Sequence, residues 1–261
     1  MQLPIYVVDA FTDKLFGGNQ AAVCPLQDWL PDELMQQLAA ENNLSETAFF
    51  VQKGPDDYHI RWFTPEFEID LCGHATLATA YIIFNELKLS EDHIAFNCKS
   101  GRLDVKKRGD LIELNFPSRM PVVSEAPDGL LKGVNIQPQQ VLKSRDYFLV
   151  YASEEEVLQI VPDFNYWNQL NVVGVIVTAK GKEVDFVSRF FVPNSVIGED
   201  PVTGSAHSSL IPYWSKELGK EVLTAHQVSR RGGVLYCEDK GDRVIMAGNG
   251  VLYSKGEFYI R

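Results

Sequence analysis

Apolar positions recur along the chain in two rhythms, short β-type runs and longer helical stretches. Tyr6-Val7-Val8 is a short apolar run ended by Asp9 and reads as a strand. Phe16-Gly17-Gly18-Asn19-Gln20, which follows it, is built from residues that tolerate turns. Between Pro31 and Asn43, Leu34, Leu38 and Ala39 fall at helical spacing, with Asp28 or Pro31 opening the helix. Thr47 to Gln52 and Tyr58 to Phe63 are β-rich runs, and Lys53-Gly54-Pro55-Asp56-Asp57 between them suits a hairpin. Ala75 to Leu87 is nearly continuous in apolar and small residues, so the pattern predicts a helix buried on all sides.

The same order returns later. Ser153-Glu154-Glu155-Glu156 is a capping box that opens a helix running through Val161. Val172 to Thr178 and Val184 to Phe191 form a second strand pair, and Ala206 to Leu218 a second small-and-apolar helix. Sliding the sequence by 128 positions places Glu46-to-Pro65 on Gly174-to-Pro193 without a gap. Arg61-Trp62-Phe63-Thr64-Pro65 then falls on Arg189-Phe190-Phe191-Val192-Pro193, and, with three residues inserted, Gly73-His74-Ala75 matches Gly204-Ser205-Ala206. Two copies of one strand-hairpin-loop-helix unit account for the length.

Composition narrows the functional classes. A 261-residue chain with 45% hydrophobic content can bury a substantial core as one large domain or two small ones. The formal net charge of −11 leaves no Lys/Arg cluster for a run of phosphates, which argues against nucleic-acid and acidic-membrane partners. Lys106-Lys107-Arg108 and Arg230-Arg231 each precede a Gly and read as turns. The N-terminus has no basic, then apolar, leader pattern, and no window approaches the roughly 20 apolar residues of a membrane span. Cys24, Cys72, Cys98 and Cys237 lie far apart with no C-x-x-C pair, which fits a reducing compartment, and a cytoplasmic location is expected.

Equivalent halves would be related by a pseudo-two-fold axis, and the Gly-His-Ala and Gly-Ser-Ala helix starts could then face each other across a cleft. Each start offers unpaired N–H groups and the positive end of a helix dipole, a good seat for a carboxylate. Taken singly, each Gly reads first as a turn residue and each His or Ser as an N-cap, and the matching pair shifts the reading toward function. At a helix N-terminus His74 is expected to be held neutral. Glu46 falls on Gly174 under the shift, so it occurs in one half only. It is either solvated at the mouth of its strand or aimed at the cleft, where burial would raise its pKa toward acid/base range. Asp200, before Pro201, has the same two readings.

Asn43-Leu44-Ser45-Glu46-Thr47, Leu71-Cys72-Gly73-His74-Ala75-Thr76-Leu77-Ala78 and Gly198-Glu199-Asp200-Pro201-Val202-Thr203-Gly204-Ser205-Ala206 resemble, in this order, the signature segments of the phenazine-biosynthesis isomerase (PhzF-like) family. Asp9-Ala10-Phe11-Thr12 and Phe16-Gly17-Gly18-Asn19 resemble its opening motif. The resemblance implies an α+β, diaminopimelate-epimerase-like fold of two pseudo-symmetric halves, each a mostly antiparallel mixed sheet wrapped around a central helix. The halves would be 1–117, with a C-terminal strand near 251–261 returning to it, and 118–250. It further implies an isomerase of biosynthetic type that needs no metal or organic cofactor and acts on a small carboxylate-bearing substrate. Glu46 would be the proton-shuttling acid/base, with His74 and Asp200 as further catalytic residues. Ser205 lines the site, Asn19 and Ser45 join the substrate-binding set, and Gly73 and Gly204 supply backbone contacts to the carboxylate. A homodimer agrees with the resemblance, although the sequence shows no exposed apolar stripe.

The same fold houses racemases and epimerases with a thiol before each helix. Cys72 holds the first thiol position, but Pro201 stands in the second, which argues against a two-thiol mechanism and leaves Cys72 a packed small residue. A racemase of this fold and a non-catalytic module that has kept the fold are the alternatives. His59 and His93 lack metal-ligand spacing, and His207 and His226 read as helix-face and surface residues. Arg61 and Arg189 would brace the two loops by symmetry or form surface salt bridges.

Overall fold

The computed structural model describes residues 1–260 and falls into two units, one of Met1–Phe116 together with the chain from Met246 onward, the other of Pro117–Ile245. The first unit contains β1 (Gln2–Ala10), β2 (Asn19–Leu26), α1 (Asp32–Asn42), β3 (Glu46–Gly54), β4 (Asp57–Phe63), β5 (Glu68–Ile69), α2 (Gly73–Tyr81), β6 (His93–Cys98), β7 (Gly101–Arg108) and β8 (Leu111–Pro117). The C-terminal strand, Gly250–Tyr259, returns to this unit and pairs antiparallel along β1 from Gln2↔Tyr259 to Ala10↔Gly250. β2 then pairs antiparallel with β1 and parallel with β3. β4 pairs antiparallel with β3 and parallel with β6, and β6, β7 and β8 continue antiparallel.

Both faces of this sheet are covered, which explains why its central strands read as nearly continuous apolar runs. Cys24, Phe49, Val51 and Phe63 pack with Met35 and Ala39 of α1. Against β1, β2, β3 and the C-terminal strand lies α2, whose residues from Gly73 to Ala80 are all buried. Small side chains let it sit that close to strands. Its end differs from the predicted continuous helix: Ile82–Glu86 forms a π turn, with the Leu87 N–H donating to the Ile82 carbonyl at 2.9 Å.

The second unit contains β9 (Val122–Val123), α3 (Asp128–Lys132), β10 (Gln140–Lys143), β11 (Tyr147–Val150), α4 (Glu154–Gln159), α5 (Phe164–Trp167), β12 (Val175–Lys180), β13 (Phe186–Phe191), β14 (Glu199–Asp200), α6 (Gly204–Leu218), β15 (Val222–Gln227), β16 (Gly233–Asp239) and, across the boundary, β17 (Arg243–Gly248). Here β11 pairs parallel with β12, β12 antiparallel with β13, and β13 parallel with β15. Leu130, Leu149, Val157, Trp167, Val175, Val177 and Phe191 form one core. α6 stacks Trp214 on Phe186, ring centroids 5.9 Å apart.

The internal repeat is visible in strand register. Thr47↔Phe63 through Gln52↔Tyr58 in the first hairpin correspond, pair by pair, to Val175↔Phe191 through Lys180↔Phe186 in the second. The next pairing repeats as well, Phe63↔Glu68 in one unit and Phe191↔Glu199 in the other, the second loop being three residues longer. Arg61 forks onto Glu68 at 2.7 and 2.8 Å, and Arg189 onto Glu199 at 2.8 and 2.9 Å. Both arginines therefore tie the second hairpin strand to the loop that leads into the buried helix.

Several boundaries differ from the sequence pattern. Asp9 does not end β1, because its buried carboxylate accepts the Phe16 N–H at 2.9 Å and the strand continues to Ala10. The presumed turn at Asn19-Gln20 opens β2, whose Pro25 obscures the strand signal. α4 stops at Gln159 rather than Val161, although its predicted cap is present: Ser153 Oγ accepts from the Glu156 N–H at 3.3 Å. Lys106-Lys107-Arg108 belongs to β7, and the turn falls on Gly109 at φ +61°.

Candidate active site

Glu46 is the first residue of β3, paired in register with Ala21 of β2, and His74 is the second residue of α2. Their approach is set by the packing of α2 on these strands. His74 Nε2 lies 2.8 Å from Glu46 Oε2, with the histidine side chain 4% and the glutamate 14% exposed. No donor is aligned with that buried oxygen for a hydrogen bond, so the contact is an ion-pair approach with lone-pair capacity left over. On the far side of the ring, Asn19 Nδ2 is 3.1 Å from His74 Nδ1, and the Asn19 Oδ1 accepts from Ser45 Oγ at 3.1 Å. A relay thus runs Ser45, Asn19, His74, Glu46, with its two middle members buried.

Local backbone explains how Asn19 reaches the ring. Gly18 adopts φ +59°, and a Cβ there would stand 2.1 Å from the Ala10 carbonyl oxygen, so only glycine lets the chain turn tightly into β2. Asn19 is fully buried, with its amide engaged by His74 and Ser45. Cys72, the residue before α2, is buried with Sγ 3.6 Å from His74 Nδ1 and 3.9 Å from Nε2. No side chain caps the start of α2. Its first N–H groups therefore keep the electrostatic character of an open helix end.

Electrostatics separate the three groups. Burial, reinforced by the nearby Glu46 charge, pushes the Cys72 thiol up to about 11, so it is protonated at neutral pH. For His74, burial disfavours charge, but the negative charges of Cys72 and Glu46 outweigh it and lift the imidazole well above the ordinary histidine value. With the thiol protonated, Glu46 is the partner that acts near neutrality. The neutral histidine expected from helix position alone gives way to one biased toward imidazolium by a carboxylate 2.8 Å away, a state in which the Asn19 amide turns over to offer its oxygen to the Nδ1 proton.

In the second unit Asp200 lies in β14, paired with Phe190 and largely buried. Its Oδ2 accepts the Thr203 hydroxyl at 2.6 Å, and Gln227 donates to its carbonyl at 2.8 Å while accepting the Thr203 N–H at 2.8 Å. The turn into α6 is therefore fixed by Gln227 of β15, not by a side-chain cap. Gly204 is buried at the helix start, and Ser205 accepts from Arg145 Nη2 at 3.0 Å. Arg145, whose other bonds go to buried Asp146, was not singled out from sequence, since it lies in a loop with no motif around it. His207 is not a helix-face residue in contact with water: it is fully buried beside Phe186, its Nδ1 2.8 Å from the Thr203 carbonyl, and burial lowers its pKa to about 4.

The sequence profile of the family described as phenazine biosynthesis-like protein matches residues 8–256. An uncharacterized isomerase of Pseudomonas aeruginosa is 48% identical over 260 residues, covering the whole of both chains. The crystal structure of a PhzF-family phenazine biosynthesis protein from Enterococcus faecalis superposes with a TM-score of 0.95 at 49% identity, again over the whole of both chains. A hydroxyproline epimerase from Agrobacterium vitis, solved with trans-4-hydroxy-L-proline bound, superposes with a TM-score of 0.61 at 9% identity, covering 98% of this chain and 92% of that one. That likeness shows the shared α+β fold. No helix among the described residues is long and apolar enough to cross a membrane.

Proposed function

The chain belongs to the phenazine biosynthesis-like (PhzF) family, whose relatives are named isomerases, and on that premise we propose that Glu46 shuttles a proton between two carbons of a small carboxylate-bearing substrate. The observation that carries this reading is the buried Glu46–His74 pair at the open start of α2. A carboxylate takes the proton from an acidified C–H, the electron pair moves into the conjugated system, and the resulting carboxylic acid returns the proton at another carbon. One base working from one side delivers the proton to the face it came from. His74, biased toward its charged form, pairs with the Glu46 carboxylate before the proton is taken and again after it has been returned.

Substrate carboxylate is assigned to the backbone N–H groups at Gly73, where the helix end favours an anion. Asn19 and Ser45 act on the substrate through His74, since both amide ends of Asn19 are already engaged. The Cys72 thiol, protonated and packed against the ring, is not needed as a base. Neither this transfer nor the assigned contacts require a metal or organic cofactor. Support for the small-acid class comes from the epimerase of the same fold, which binds a hydroxyproline.

The reaction class is tested by incubating the protein in D2O with a panel of small acids whose α or vinylogous C–H is acidified, and following exchange by NMR. Exchange into at least one acid, lost in Glu46→Gln, is expected. Exchange that persists in Glu46→Gln contradicts the assignment.

A further inference from the structure

We propose that Glu46, Cys72 and His74 together form an inhibitory site for a thiophilic divalent cation, zinc above all. One ligand atom from each, the carboxylate oxygen, the thiol sulfur and a ring nitrogen, all lie within 4.8 Å of one another. A thiolate, an imidazole and a carboxylate are the donors that zinc takes, and three protein ligands leave a fourth tetrahedral position for water or a ligand. Two features of the cluster otherwise lack a role. Proton transfer by Glu46 does not use Cys72, and Glu46 Oε2 is buried without an aligned hydrogen-bond donor.

The surroundings suit a metal ligand. Metal-bound histidines are oriented by a partner on the other ring nitrogen, and Asn19, itself held by Ser45, occupies that place. Coordination through Nε2 leaves the ring proton on Nδ1, and the Asn19 amide, turned over from the orientation in which its Nδ2 faces the ring, accepts that proton with Oδ1 and donates to Ser45 Oγ. Zinc displaces both the Cys72 thiol proton and the Nε2 proton of the His74 imidazolium to solvent and binds the thiolate and the neutral ring, so two protons leave for each ion bound. Two anionic ligands outweigh the roughly half unit of positive charge at the start of α2.

Binding needs only these donor atoms. Inhibition rests in addition on the reading of Glu46 as acid/base, because a carboxylate held by zinc cannot carry a proton.

Metal-free protein titrated with Co2+ tests the binding. A thiolate-to-cobalt charge-transfer absorption is expected, displaced by stoichiometric Zn2+. Cys72→Ser should abolish the band and weaken Zn2+ binding at least about tenfold, whereas Cys98→Ser, which changes a thiol outside the cluster, should leave both unchanged. A missing sulfur band, or a band that survives Cys72→Ser, overturns the proposal. X-ray absorption of the zinc-loaded unmodified protein removes any dependence on a variant's folding: one sulfur neighbour with nitrogen and oxygen supports the site, and nitrogen and oxygen alone refute it. Deuterium exchange by metal-free Glu46→Gln tests the acid/base reading separately, so a failure of one is not mistaken for a failure of the other.

Discussion

His74 Nε2 stands 2.8 Å from Glu46 Oε2 at the start of α2, and this contact decides the charge of the ring. A histidine with a raised folded-state pKa stabilises the fold fully below its unfolded value near 6.5, and that contribution is lost as pH rises through the raised value. His74→Gln should therefore lower the melting temperature more at about pH 6 than at about pH 9. An equal loss at both pH values would show that Glu46 does not hold the charged ring.

The opposite sign is expected at His207. Its folded pKa of about 4 lies below the ordinary 6.5, so the unfolded chain binds the extra proton and stability falls as pH drops through that window. The full shift corresponds to about 3 kcal/mol. Urea unfolding between these pH values should show the slope in the unmodified protein and a flatter line in His207→Gln.

Much of the fold was legible because periodicity reports burial. The 128-residue shift recovered the hairpin register residue for residue, and the buried helices at Gly73 and Gly204 followed from their small-residue composition. β2 was not legible, since a strand paired on both sides that carries Asn19 at its entry and Pro25 near its end looks locally like a loop. Within the site, Glu46 and His74 could be named from motifs. Their mutual distance, the Ser45–Asn19 relay behind the ring and the Arg145–Ser205 bond depend on contacts between elements distant in sequence, which no local pattern encodes.

Asn19→Ala is expected to cost about 1–3 kcal/mol of stability, because it leaves buried His74 Nδ1 with only the Cys72 sulfur 3.6 Å away and half-buried Ser45 Oγ without its acceptor. It should also shift the pH dependence of exchange by altering the proton balance on the ring. Denaturant unfolding and an exchange-rate profile against pH read the two effects, and a change in stability with no change in profile would reduce Asn19 to packing.

Arg189 and Arg61 make matching forks, yet their loss should differ. Arg189 Nη1 also donates to the carbonyls of Val157 and Ile160 at 3.1 and 2.8 Å, closing the end of α4, whereas Arg61 Nη1 reaches the exposed Asp32. Arg189→Ala should therefore destabilise by about 1–3 kcal/mol more than Arg61→Ala, the scale of buried carbonyls left unpaired. Equal losses would mean that the forks alone carry both arginines.

The central claim, that one carboxylate moves the proton, is tested most directly by comparing Glu46→Gln with Cys72→Ser in one solvent-deuterium exchange assay. Glu46→Gln should lose about a hundredfold or more of the exchange rate, the usual share of a general acid/base. Cys72→Ser should retain at least about a tenth, a barrier change under roughly 1.4 kcal/mol. An active Glu46→Gln beside an inactive Cys72→Ser would contradict the account and place the proton on the thiol.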